Sequence, residues 1–232
     1  PSAATRAPAP HFDHSGVGCS AADVRLPVAG CRLPVSSPSP VQTRFEGVEP
    51  HMGTLVRITV YARDAEAARV AFRAGFDRIR ELDAILSDYK SESELNRVTR
   101  EAVGRPVAVG PDLFAVLRAS HRLSVETDGA FDITQGAVVR VWRDARATGR
   151  VPESDALHAA ARRSGYTYMH LDEARRTVSF DIAGVQLDVG AIGKGYAASE
   201  ALAAIARAGV PSALVAVSGD IACGAPPPGQ PG

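Results

Sequence analysis

The chain has 232 residues, 45% of them hydrophobic and 22% charged, a composition with enough apolar mass for a core. Its 26 basic residues balance 26 acidic ones, so no overall field draws in nucleic acid or an anionic membrane. No window reaches the roughly 20 apolar residues of a membrane-spanning helix, and Cys19, Cys31 and Cys223 are too scattered for a disulfide framework or a zinc site.

Proline marks the borders of the folded part. Eight of the 16 prolines fall in residues 1–50 and four more in 226–231. Residues 1–44 mix Pro, Ser, Ala and Gly without periodicity and read as a flexible leader. No signal peptide is visible, and the chain begins with Pro rather than Met, which leaves its compartment open. Folded material is expected over residues 45–223. The remainder, 224–232 (GAPPPGQPG), has loop composition, and a chain stopping there is expected to be truncated.

Thr54–Ala62 alternates with period two, placing Val56, Ile58 and Val60 on one face of a half-buried strand. Ala65–Leu86 carries Ala68, Phe72, Phe76, Ile79, Leu82 and Leu86 at helical spacing. Pro111 opens a second helix with Leu113, Val116, Leu117 and Leu123 inward. A third helix follows Ser154 and stops at Gly165. Tyr168–Asp172 and Thr177–Ile182 flank a polar stretch as a hairpin would. Val185–Val189 reads as a short strand, Lys194–Ala208 as a helix ended by Gly209 and Pro211, and Ala213–Val217 as a last strand. Strands and helices interleave without a βαβ rhythm, so the expected class is α+β, with mixed or antiparallel sheets packed on helices.

Four stretches carry residues suited to chemistry. LDVGAIGKGYA, residues 187–197, joins the strand to the helix and holds Lys194, one of only two lysines. The first N–H groups of a helix lack intrahelical partners and carry partial positive charge, and glycines let a phosphate approach them closely. A lysine there opposes the helix dipole, so a bound anion would help explain it. The spacing fits neither a Walker A loop nor G-x-G-x-x-G, and a plain strand-to-helix turn explains it equally well. Asp188, beside the turn, suits a ribose, a ring edge or a cation. In TDGAFDIT, residues 127–134, Phe131 offers a flat apolar face and Asp132 an acceptor. The same residues read equally as a helix C-cap, a core aromatic and a turn cap. His51-Met52-Gly53-Thr54 opens the first strand, and LSDYKSESELNRVT, residues 86–99, reads as a polar turn presenting Tyr89 for stacking.

In this order, the set M-G-T, Y followed by S-E-L, T-x-G-A-F-D, L-D-x-G-x-I-x-K-G-Y-A and S-G-D-I resembles the FAD:protein FMN transferases, formerly called thiamine biosynthesis lipoproteins. The match runs from about Met52 to Ile221. The resemblance implies a Mg²⁺-dependent enzyme that cleaves the FAD diphosphate, moves FMN onto a Thr or Ser hydroxyl of an acceptor flavoprotein and releases AMP. By matching positions, the flavin nucleotide would touch Met52, Tyr89, Ala130, Phe131, Asp132 and Asp188, and the Ala191 carbonyl would contact the metal. Lys194 is a possible phosphate contact. The catalytic residues are unknown, because the family's His, Asp and Thr are expected beyond Gly232. Ser93–Thr99 ends in Thr where the family has Asn, and Gly193 replaces the usual Ala before the lysine. The resemblance places such proteins in the periplasm or cell envelope. Two other readings stand beside the transferase: an FAD pyrophosphatase, and a flavin-binding module without turnover.

Overall fold

The structure, a computed structural model, describes residues 41–230. Most of the expected leader therefore lies outside the described residues, but its last two residues do not belong to a leader. Strand β1 (Thr43–His51) begins inside it. The strand escapes sequence reading because Arg44, Glu46, Glu49 and Pro50 blur its alternation, and its inward positions are only half-buried.

A two-residue turn, Met52-Gly53, joins β1 to β2 (Thr54–Ala62). Both turn residues have positive φ, 52° and 70°, the handedness that matches strand twist in a hairpin. β2 pairs on its other side with β6 (Ala213–Val217), which pairs with β7 (Asp220–Cys223). The order β1-β2-β6-β7 is antiparallel throughout. The inward residues Val56, Ile58 and Val60 are fully buried, as their alternation predicts.

Helix α1 (Ala65–Leu86) starts where the Asp64 carboxylate accepts the Ala67 N–H at 2.8 Å. It is long enough to serve two cores. Its N-terminal part packs Ala68, Ala71, Phe76 and Ile79 against the four-stranded sheet and helix α6 (Gly193–Arg207). Its last turn sends Leu82 and Leu86 into a second core. That core takes Leu95 and Val98 from α2 (Glu94–Glu101), Leu113, Phe114, Val116 and Leu117 from α3 (Pro111–Glu126), and residues of a three-stranded antiparallel sheet. The sheet runs β3 (Val107–Ala108), β5 (Thr177–Phe180), β4 (Met169–Asp172). Helices α4 (Gly136–Thr148) and α5 (Ser154–Ala161) complete the α+β fold.

Val185–Val189 is not a ladder strand. It runs extended, with Val185, Leu187 and Val189 buried, but pairs sideways with no named strand: Asp188 N–H donates to the Ile133 carbonyl at 2.8 Å and Gly136 N–H to the Gln186 carbonyl at 3.0 Å. Alternation reported the buried face correctly and could not report the missing neighbour. The polar turn expected over 86–99 contains helix α2, whose Ser93 hydroxyl caps the Asn96 N–H at 3.1 Å.

Candidate functional site

The glycine turn is shaped by its own side chains. The Asp188 carboxylate accepts the Gly190 N–H at 2.8 Å, and the Val189 carbonyl accepts from Ile192 and Gly193. Helix α6 then begins at Gly193. Among the described residues, the N–H groups of Ala191, Lys194 and Gly195 donate no backbone hydrogen bond. They are the donors a helix start leaves over. Lys194 has a local partner, its Nζ reaching the Gly190 carbonyl at 2.8 Å. The lysine thus clips its own turn, and no anion is required to account for its position.

The turn is open. Gly190 and Ala191 are exposed, and Gly190, Gly193 and Lys194 line a cleft of about 530 Å³. Met52 and Gly53 of the β1–β2 turn, Ser218 of the β6–β7 turn, Leu86 at the end of α1, Asp88, Tyr89 and Arg143 are among its other walls. The two hairpin turns reach the cleft because β2 and β6 are neighbours in the sheet, so the turn before β2 and the turn after β6 project from the same end. A Cβ built on Gly193 would lie 3.9 Å from the Met52 Cε, ordinary contact, so alanine fits there too.

The structure therefore brings together Met52, Tyr89, Lys194 and, through Gly190, Asp188. Ala130, Phe131 and Asp132 do not line this cleft. They lie on the segment leading to Ile133, whose carbonyl accepts the Asp188 N–H. Phe131 packs against the second core, and the Asp132 carboxylate accepts from the Thr134 N–H at 2.8 Å, the Thr134 hydroxyl at 2.7 Å and the Tyr166 N–H at 3.0 Å.

Sequence reasoning missed Arg143. From α4 its guanidinium donates to Asp188 at 2.8 Å, pairs with Asp88 and sits 4.6 Å from the centre of the Tyr89 ring. Burial lowers its pKa, but the Asp88 and Asp188 carboxylates outweigh that and raise it, so the group stays charged. No sequence signal announces it, because its partners lie 45 and 55 residues away.

Helix α6 is fixed from its other side. Tyr196 donates its hydroxyl to Asp112 at 2.7 Å, and Arg78 bridges Asp112 and Glu200, at 3.0 and 2.8 Å. Burial alone would raise the Asp112 carboxyl; the Arg78 and Tyr196 hydrogen bonds override it and hold it below the usual carboxylate range. Burial and Asp112 push the Tyr196 phenol well above its ordinary value, so it remains a donor. The network ties the first turn of α3 to α1 and to Tyr196, the fourth residue of α6.

The donor set suits a hard cation only in part. The exposed Ala191 carbonyl accepts no backbone hydrogen bond among the described residues, and an unengaged carbonyl is an oxygen ligand of the right kind. Among the described residues, no cluster of three or more His, Cys, Asp or Glu side chains is placed to hold a metal. A Mg²⁺ ion keeping several waters and binding substrate phosphates needs no such cage.

The structure superposes on the flavin transferase ApbE of Vibrio cholerae with a TM-score of 0.71 at 23% identity, over 79% of this chain and 60% of that one. It superposes on the Pseudomonas stutzeri flavinyl transferase ApbE, apo form, with a TM-score of 0.70 at 25% identity, over 78% and 58%. The fold is therefore that of the solved flavin transferases. A family model described as the ApbE family matches residues 52–231, and the chain belongs to that family. Relatives include a FAD:protein FMN transferase of Treponema pallidum, 32% identical over 76% of this chain and 51% of the relative. Another, of Klebsiella pneumoniae, is 30% identical over 83% and 56%. The chain spans about half the length of these curated relatives.

Proposed function

We propose that this chain binds FAD with its diphosphate on the glycine turn and serves the transfer of FMN to a Thr or Ser hydroxyl of an acceptor flavoprotein, with release of AMP. One observation carries the reading: the Ala191, Lys194 and Gly195 amides, without backbone acceptors among the described residues, belong to an open turn whose Gly190, Gly193 and Lys194 line a cleft of about 530 Å³. Oriented amides at a helix start bind phosphate oxygens, and preorganised donors stabilise charge that grows on them during transfer.

In this reaction the acceptor oxygen bonds to the flavin-side phosphorus while the bridging P–O bond breaks. AMP departs with the electron pair, and the hydroxyl proton passes to base or solvent. Phosphoryl chemistry of this kind asks the protein mainly for position and charge stabilisation. Met52 and Tyr89 wall the flavin nucleotide, and Asp188 offers it an acceptor. Ala130, Phe131 and Asp132 belong to the segment that holds the Asp188 backbone through the Ile133 carbonyl. A Mg²⁺ ion held at the Ala191 carbonyl would draw charge off the diphosphate oxygens. Lys194 keeps the turn in shape through Gly190 and adds positive charge at its mouth.

The test is direct. The chain is incubated with FAD, Mg²⁺ and an acceptor flavoprotein, and a fluorescent flavin band is sought on a denaturing gel alongside released AMP. A covalent band with AMP is the expected result. AMP with free FMN would make the chain a pyrophosphatase, bound FAD without AMP a binding module, and absence of FAD binding would refute the reading.

A further inference from the structure

Arg143 occupies a place in the cleft that the resemblance leaves unassigned. It lines the main cleft and also a neighbouring one of about 600 Å³, and Asp88 and Tyr89 share both linings with it. The three residues are the partition between the two spaces. Within it the guanidinium joins Asp88 on one segment to Asp188 on another and lies over the ring of Tyr89, whose surface is otherwise 76% exposed. Without Arg143 the ring would have no fixed partner on that face.

The charge consequence matters more. Asp83, also on the cleft, is paired with Lys90 at 2.7 Å. Of the other charged groups at the cleft and its glycine turn, Asp88 and Asp188 pair with Arg143, Lys194 reaches the Gly190 carbonyl, and the Asp220 carboxylate lies beside Gly195. Removing Arg143 would leave three carboxylates, Asp88, Asp188 and Asp220, against one lysine, close to where a dianionic diphosphate has to sit. Like charges at such range oppose binding even through partly solvated surroundings. A flavin without phosphate would feel almost none of this. We propose that Arg143 is a positioning and specificity-determining residue: by neutralising Asp88 and Asp188 together and bracing Tyr89, it lets the cleft favour the charged dinucleotide over uncharged riboflavin.

This inference rests on the FAD-binding reading above, and its test separates the two. Dissociation constants for FAD and riboflavin are measured on the wild-type chain and on Arg143→Ala, Arg143→Lys and Asp88→Asn, with a thermal melt of each. Arg143→Ala should weaken FAD about tenfold and riboflavin by no more than about twofold. Arg143→Lys, which keeps the charge and loses the bridging fork, should restore most of the discrimination. Asp88→Asn removes one carboxylate and should shift preference the other way, tightening FAD by about threefold relative to riboflavin. That arm reads the same charge balance should Arg143→Ala not fold. Parallel weakening of both ligands by Arg143→Ala, or unchanged preference in Asp88→Asn, would overturn the inference while leaving FAD binding intact. A wild-type chain that binds neither flavin would overturn the FAD reading itself, and this inference with it.

Discussion

The turn at Asp132 and the turn at Asp188 lie side by side, joined by the hydrogen bond from the Asp188 N–H to the Ile133 carbonyl, yet each uses its carboxylate differently. Asp132 accepts three hydrogen bonds from the chain, two from Thr134 and one from the Tyr166 N–H, and the Thr134 hydroxyl in turn accepts the Gly165 N–H at 2.7 Å. Its acceptor capacity goes into closing a loop. Asp188 spends one oxygen on Gly190 in its own turn and the other on the Arg143 guanidinium, which reaches it from α4. Asp132 joins its own turn to the Gly165–Tyr166 segment; Asp188 joins the glycine turn to the Arg143 guanidinium at the cleft. Two aspartates in equally suggestive motifs are thus separated by their partners and not by their sequence context.

Substitutions sharpen or break this contrast. The largest effect is expected where the two segments touch. A Cβ on Gly136 would lie 2.6 Å from the Gln186 carbonyl oxygen, a backbone atom that cannot step aside. Gly136→Ala should therefore cost about 3 kcal/mol of stability by urea denaturation. Asp132→Ala should cost about 2 kcal/mol, because the Thr134 and Tyr166 donors lose their acceptor, and any loss of FAD binding should follow the loss of fold. Asp188→Ala should do the reverse. It should change stability by less than about 1 kcal/mol and weaken FAD roughly tenfold, about 1.4 kcal/mol, because the loss of the Gly190 contact that shapes the turn outweighs the removal of one carboxylate near the diphosphate. If Asp188→Ala unfolds the chain and Asp132→Ala spares it, the contrast is inverted and the assignment of roles is wrong.

The smallest effect concerns Asp112, a carboxylate serving neither turn but anchoring α6. Its pKa is held below the usual range in the folded state, so its contribution to stability is complete above the ordinary carboxylate pKa of about 4. That contribution fades as pH falls through the lowered value. Asp112→Asn should flatten the fall of melting temperature on the acid side and leave its neutral-pH dependence unchanged. An acid-side profile identical to wild type would show that the Arg78–Asp112–Tyr196 network contributes nothing to stability.

Elements with strong periodicity are legible in the amino-acid sequence. β2, α1 and β6 occupy the spans their alternation and spacing predict, because a long apolar stripe has one way to be buried. α4 is not legible. Only Ala137 in it is buried and Trp142 is half exposed, so no stripe betrays it. The motifs of the cleft are readable, but their division into lining and support is not. Met52 reaches the glycine turn only because two hairpin turns share one end of the sheet, and Arg143 reaches Asp188 only through tertiary packing of α4. Lys194 teaches the opposite lesson: its place in the sequence invites an anion to explain it, and the Gly190 carbonyl suffices.

The proposed function turns on whether the amides of residues 190–195 receive the diphosphate of FAD. Titration of FAD into ¹⁵N-labelled chain, followed by amide shifts, tests this most directly. Ala191, Lys194 and Gly195 are expected to shift first and furthest, with Gly53 and Tyr89 following. Saturable binding that moves amides elsewhere and leaves these three in place would contradict it.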